Sequence, residues 1–189
     1  MSSASTLPNN ERGGWLREAE ARPSPNCDAR PAPLAIDLLV IHAISLPPGE
    51  FGGPYIEQLF SNRLDAAAHP YFAGIDGLRV SAHFLVRRDG RLLQFVDLYA
   101  RAWHAGESMW QGRSRCNDFS IGVELEGCDD LPFEHAQYVR LTALIESLYE
   151  RLPGLNSARL VGHSDIAPTR KTDPGPHFDW ARLRASLSR

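Results

Sequence analysis

The stretch Ile36-Asp-Leu-Leu-Val-Ile-His-Ala43 constrains the fold more than any other part of the chain. Its short, apolar, β-branched character is that of a buried strand, and the run Ser45-Leu-Pro-Pro-Gly-Glu-Phe-Gly-Gly-Pro54 behind it forces an irregular loop. His42 is thereby carried to a strand end that faces a loop. Two further segments repeat the device. Phe119 to Glu126 alternates cleanly, with Ile121, Val123 and Leu125 on one face and Gly122, Glu124 and Glu126 on the other, which is strand chemistry with an acidic face. Arg159-Leu-Val-Gly-His163 reads as a strand that delivers a histidine at its end. Three strand ends, bearing His42, Glu124 and His163, can meet at one edge of a single sheet.

The remaining elements surround that sheet. His83–Arg88 and Arg91–Val96 flank Asp89-Gly90, and Asp-Gly between two such runs signals a hairpin because it accommodates positive φ. A short extended piece is expected at Ala102–Ala105, followed by a polar loop from Glu107 to Asn117. Helices are predicted over Tyr55–Asn62, with Pro54 suited to a first helical position, over Phe133–Leu152 and over Phe178–Leu187. In the second, Tyr138, Leu141, Leu144, Ile145 and Leu148 recur at helical spacing before Pro153-Gly154 closes the segment. Strands and helices are mixed without strict βαβ alternation, so the expected fold is α+β (mixed α/β): one domain with a central mixed β-sheet flanked by helices.

The chain has 189 residues, enough for one core but not for two independent ones. Residues 1–33 are polar and rich in Ser, Pro, Asn and Arg, and read as an N-terminal arm packed on or trailing from a domain at 34–189. A formal charge of −3 offers no basic field for nucleic acid. The charged residues Glu11, Arg12, Arg17, Glu18 and Glu20 leave no apolar signal segment, and Asp37 and His42 interrupt the longest apolar run, which rules against a membrane span. Cys27, Cys116 and Cys128 are odd in number and lack CxxC spacing, as expected of reduced thiols in a cytoplasmic protein.

Lys171 is the single lysine among twenty basic residues. A chain that uses arginine elsewhere and retains one lysine suggests a place that needs a compact ammonium rather than a planar fork. It stands in Gly162-His-Ser-Asp-Ile-Ala-Pro-Thr-Arg-Lys-Thr-Asp-Pro-Gly-Pro176, where His163 offers a nitrogen, Asp173 offers an oxygen, and Pro and Gly hold a shaped loop. His42, His163 and Asp173 would give one Zn2+ ion two imidazoles and a carboxylate, leaving a fourth position for water. Glu124 is the candidate to move the proton, although Glu126 shares its face and periodicity does not choose between them. Asp165, two residues from His163, competes with Asp173 as third ligand and equally suits a turn or cap. Lys171 would face the oxyanion of a tetrahedral intermediate. A hydroxyl nucleophile at Ser81 or Ser120 is the competing chemistry, but neither sits in a Gly-x-Ser-x-Gly elbow.

The segments His42–Pro54, Leu78–His83, Arg101-Ala-Trp-His-Ala-Gly106, Arg115–Gly127 and Gly162–Pro176 closely resemble, in order, the AmpD family of bacterial 1,6-anhydro-N-acetylmuramyl-L-alanine amidases. These are zinc amidases of cell-wall recycling, related to peptidoglycan-recognition proteins and phage lysozyme amidases. The resemblance implies an amidase/peptidoglycan-recognition-protein-like fold and cleavage between the lactyl group of anhydro-N-acetylmuramic acid and L-alanine of a stem peptide. It also implies a small-molecule anhydromuropeptide partner and an indirect part in β-lactamase induction; for the oligomeric state a monomer is the default expectation. By position it assigns His42, His163 and Asp173 to zinc, Glu124 and Lys171 to catalysis, and Arg79, Arg115 and Trp103 to substrate. It favours Glu124 over Glu126. One departure is Ala43, where the family has Asn; its loss removes a hydrogen bond to the peptide. His69, His83 and His104 fit structural or ligand-orienting roles. Relatives of this fold also include muropeptide-binding modules that lack part of the metal triad, and a complete triad favours an enzyme.

Overall fold

The computed structural model describes residues 13–31 and 35–187. In chain order the strands and α-helices are β1 (Glu20–Ala21), β2 (Cys27–Ala29), β3 (Leu38–Ile44), α1 (Tyr55–Phe60), β4 (Phe84–Val86), β5 (Leu92–Gln94), β6 (Ala100–Ala102), β7 (Met109–Trp110), β8 (Arg113–Ser114), β9 (Ser120–Glu126), α2 (His135–Arg151), β10 (Leu160–Gly162), α3 (His163–Ile166) and α4 (Trp180–Ser186). Six strands form a mixed sheet in the order β1-β5-β4-β9-β3-β10. Only β4 and β5 pair antiparallel; the other neighbours run parallel. The fold is the expected one, a single mixed sheet flanked by helices.

Alternation along the central strands sorts two cores. Leu39, Ile41, Ile121, Val123 and Leu125 face α2, where Tyr138, Leu141, Leu144, Ile145 and Leu148 supply the apolar stripe that the sequence spacing announces. Gln137 Oε1 accepts a hydrogen bond from Glu134 N at 2.9 Å, closing the start of this helix. On the other face, Leu38 and Val40 pack with Ala105, Cys116, Phe119, Val161 and Ile166. Leu85 and Leu93 pack there with Ile56, Leu59 and Phe60 of α1 and with Phe72.

Both faces are therefore covered, and all seven residues of β9 are buried. The acidic face expected from alternation exists, but it looks into the protein rather than into bulk water. The Asp89-Gly90 turn forms as expected, with Gly90 at φ 85° and Asp89 Oδ1 accepting from Arg91 N. The polar loop expected over 107–117 folds further, into the β7–β8 ribbon and a short 3₁₀ turn at Cys116–Asp118. The extended piece expected at 102–105 lies earlier, in β6, where it pairs with β2.

Of the expected arm, residues 1–12, 32 and 33 lie outside the described residues, as does position 34. The described part enters the sheet: β1 continues it beyond β5, Leu16 is buried in the α2-side core, and Arg30 runs beneath β9. The Arg30 guanidinium donates to the carbonyls of Asn117, Asp118, Leu98 and Ser120. Burial lowers its pKa to about 10. Among the described residues no helix is long and apolar enough to cross a membrane.

Leu141 is fully buried between α2 and the sheet. Leu141→Ala is expected to cost about 2–5 kcal/mol in urea unfolding through lost burial and a residual cavity. Val139→Ala, at the exposed surface of the same helix, should stay within about 0.5 kcal/mol of the parent.

Candidate active site

The parallel register of β3 and β9 sets His42 directly beside Glu124. On the other side of β3, Gly162 of β10 pairs with Ile41, so that His163, the first residue of α3, emerges next to His42. The chain then turns back on itself. Lys171 N donates to Ala167 O, and Ser164 N donates to Asp173 O at 2.9 Å, which returns Asp173 to the histidine it follows by ten residues. Gly162 permits this return, since a Cβ there would stand 2.8 Å from Pro174 Cδ.

The result is a compact trio. His42 Nδ1 and His163 Nδ1 are 2.9 Å apart, and Asp173 Oδ2 lies 3.2 Å from the first and 3.1 Å from the second. His163 Nε2 is 3.1 Å from Ala105 O; a carbonyl only accepts, so the proton of a neutral ring sits on Nε2 and the Nδ1 lone pair points into the trio. Burial drives the pKa of His42 down to about 4 despite the neighbouring Asp173 carboxylate. Burial also works against charge on Asp173, but its contacts with His163 and His42 outweigh this and hold it below the usual carboxylate range. Two neutral imidazoles and one carboxylate gather electron pairs at one point, a donor set that one divalent cation satisfies. Asp165, the alternative third ligand, instead accepts from Gly162 N at 2.7 Å and caps α3.

The structure also separates the two glutamates of β9. Glu126 is fully engaged, accepting from Arg87 Nη1 and Gly52 N through Oε1 and from Arg88 N through Oε2. Glu124 is buried on the same face, and its Oε2 has no hydrogen-bond partner among the described residues. Burial first, and the Asp173 charge second, raise its pKa well above the ordinary value, while Lys171 pulls it down. An orphaned buried carboxyl oxygen beside a cation site is a group available to exchange a proton with water held there.

Around this cluster opens a pocket of about 580 Å³, lined by His42, Glu124, His163, Lys171 and Asp173 together with Trp103, Ala43 and Cys128. Six of the eight residues assigned from sequence meet in it. Arg79 does not; it is exposed and lines an adjoining pocket that shares Leu59, Ile75 and Leu78 with the first. Arg115 also lies outside, at φ 62°, with its Nε 3.1 Å from Asp118. It connects to the pocket through polar contacts, since Asp118 binds Arg101, Arg101 binds Asp28, and Asp28 accepts from Trp103 Nε1 at 3.2 Å. Arg113 instead pairs with Asp37. Ser81 donates to Asn26 O and accepts from Trp103 N, a structural role. Sequence reasoning left out the carbonyl of Ala105 and the Arg170 guanidinium that also donates to it, because a backbone acceptor leaves no signature in residue type.

A family model described as N-acetylmuramoyl-L-alanine amidase matches residues 32–176. The chain belongs to that amidase family and is an enzyme of its class. Within the family it is 59% identical over 175 residues to the 1,6-anhydro-N-acetylmuramyl-L-alanine amidase AmpD of Citrobacter freundii, covering 93% of each chain. It is 56% identical over 176 residues to AmpD of Escherichia coli K12, covering 93% of this chain and 96% of that one. The fold superposes on a crystal structure of a selenomethionine AmpD derivative with a TM-score of 0.90 at 59% identity, over 92% of this chain and 97% of the other. It also matches the amidase AmiD of E. coli, solved with anhydro-N-acetylmuramic acid-L-Ala-D-γ-Glu-L-Lys, with a TM-score of 0.60 at 29% identity, over 91% of this chain and 60% of that one.

Behind the pocket, His83 is fully buried, accepts from Gly122 N at 3.0 Å, and sits beside Arg30 and the His104 ring. Burial, and then the Arg30 charge, lower its pKa to about 3. Its folded pKa lies below the unfolded value of about 6.5, so below that pH the unfolded chain takes a proton that the folded one refuses. Stability is therefore expected to fall between about pH 6.5 and 3, by up to about 1.4 kcal/mol per pH unit for this group. Urea unfolding at several pH values measures it; His83→Asn, which keeps an acceptor for Gly122 N, should flatten the dependence.

Proposed function

We propose that this chain is a zinc-dependent amidase that hydrolyses the bond between the lactyl group of 1,6-anhydro-N-acetylmuramic acid and L-alanine of the stem peptide. The observation that carries the proposal is the trio of His42, His163 and Asp173, closed to within 3.2 Å, in one pocket with Glu124 and Lys171. Identity of 56–59% to AmpD amidases over most of the chain supports the anhydro sugar as substrate. AmiD, solved with an anhydromuropeptide, supports the same ligand class.

His42, His163 and Asp173 would hold the ion. When bound, zinc supplies Lewis acidity that polarises the amide carbonyl and brings the pKa of a water from about 15.7 to about 7. Glu124 takes a proton from the attacking water and gives it to the leaving amine of L-alanine, which lets the carbon–nitrogen bond break without expelling an amide anion. Its burial favours the protonated carboxyl, the form that must make the second transfer. Lys171 sets a compact ammonium against the oxyanion as the carbonyl becomes tetrahedral. Trp103 offers an aromatic flank to sugar and peptide. Arg79, which lines the adjoining pocket, and the exposed Arg115 suit the stem-peptide carboxylates, which a guanidinium grips through two parallel hydrogen bonds. Ala43 in the pocket wall removes one polar contact to the peptide relative to the family pattern.

In the cell this activity belongs to cytoplasmic cell-wall recycling by a monomer. Its loss lets anhydromuropeptides accumulate, which links it to β-lactamase induction.

The test is release of peptide beginning with L-alanine from anhydro and reducing-end muropeptides, with and without a chelator. Zinc-dependent cleavage that favours the anhydro sugar is expected. Chelator-resistant cleavage would refute the mechanism, whereas equal rates on both sugars would refute only the recycling assignment. Lys171→Arg is expected to keep zinc and fold while losing about 10² to 10³ in turnover. Near-normal turnover would remove Lys171 from its role.

A further inference from the structure

His42 reaches the trio through one ring nitrogen, and its other nitrogen begins a chain of contacts that the mechanism does not use. His42 Nε2 lies 2.9 Å from His104 Nδ1, His104 Nε2 lies 3.1 Å from Ser120 Oγ, and Ser120 Oγ lies 2.6 Å from Cys116 O. The proton positions follow from the far end. Cys116 O can only accept, so the single Ser120 hydroxyl proton is spent on it. Ser120 must then accept from His104, which places the proton of a neutral His104 on Nε2 and leaves Nδ1 bare. Nδ1 in turn accepts from His42 Nε2–H, and the lone pair of His42 is left on Nδ1, the atom that faces His163 and Asp173.

We propose that His104, fixed by Ser120, is a positioning residue of the metal site: it selects the His42 tautomer and aims the Nδ1 lone pair at the ion. The inference rests on the metal-site reading above and adds to it a residue outside the trio that acts through His42. The neighbouring Ala105 carbonyl does the same for His163, so two consecutive residues orient both liganding rings. Asn117 Oδ1 fastens the pair, accepting from His104 N at 3.1 Å and from Ala105 N at 2.8 Å. Gly122 makes room for it on the sheet, since a Cβ at that position would stand 2.4 Å from His104 Cγ. A wrong tautomer at His42 would direct an N–H at the ion, which no imidazole can ligate through.

The test compares zinc affinity of the full chain and its variants by competition with a chromophoric chelator, together with the His42 tautomer in nitrogen-15 histidine spectra of the metal-free protein. His104→Phe keeps an aromatic ring without an acceptor and is expected to weaken zinc by about 10- to 100-fold. His104→Asn, whose Oδ1 can accept the same proton, should recover most of that loss, a difference that mere filling of space would not produce. Ser120→Ala should turn the single Nε2–H form of His42 into a mixture, and it decides the matter if His104→Phe does not fold. Unchanged zinc affinity in His104→Phe, equal losses in the Phe and Asn variants, or an unaltered tautomer in Ser120→Ala would overturn the relay. A parent protein that binds no zinc would overturn the metal-site reading and this inference with it.

Discussion

The pairing of β3 with β9 is the constraint on which the rest of this molecule depends. Its register aligns His42 with Glu124 and at the same time turns Leu39, Ile41, Ile121, Val123 and Leu125 toward α2. Side chains alternate with a period of two, so a slip of one residue would send the apolar set into the pocket and the site residues into the α2 core. Packing and chemistry are thus locked to the same register, and the apolar clusters on the two faces enforce it. The site residues inherit their precision from hydrophobic contacts made on both sides of the sheet.

That polar face is still costly, because it buries His42, His104, Ser120, Glu124 and Glu126 where water cannot reach most of their atoms. The protein answers in two ways. Glu126 and Arg87 are paired and saturated, which makes them structural. Glu124 is left with an oxygen that has no partner among the described residues, which leaves it open to proton exchange. Two carboxylates of the same type, two positions apart on one strand, acquire different properties from their neighbours alone.

Much of the fold was legible in the sequence, and for identifiable reasons. The Asp89-Gly90 hairpin, the long amphipathic helix and the alternating strand each carry a local signal, and each formed within a few residues of its expected place. The trio of His42, His163 and Asp173 was legible in part from residue chemistry, since His163 and Asp173 share one shaped loop; the link to His42, more than a hundred positions away, gives no periodicity to read and leaned on motif resemblance. What stayed hidden was long-range or backbone in origin. No pattern announces that β9 is buried on both faces, that Glu126 is neutralised by Arg87, or that Ala105 contributes an oxygen rather than a side chain. Arg79 and Arg115, which the structure leaves outside the pocket, were hard to place for a related reason: they sit on exposed segments whose direction is set by turns rather than by core packing.

Arg30 carries a consequence for how the chain can be shortened. Its guanidinium, delivered by a polar stretch of low apparent importance, satisfies four carbonyls, including that of Ser120 at the root of the strand that bears Glu124. A version trimmed to the region of recognisable family motifs would leave those oxygens bare beneath the floor of the pocket. Its damage would surface as a loosened catalytic centre far from the cut, in a protein whose motifs were all intact.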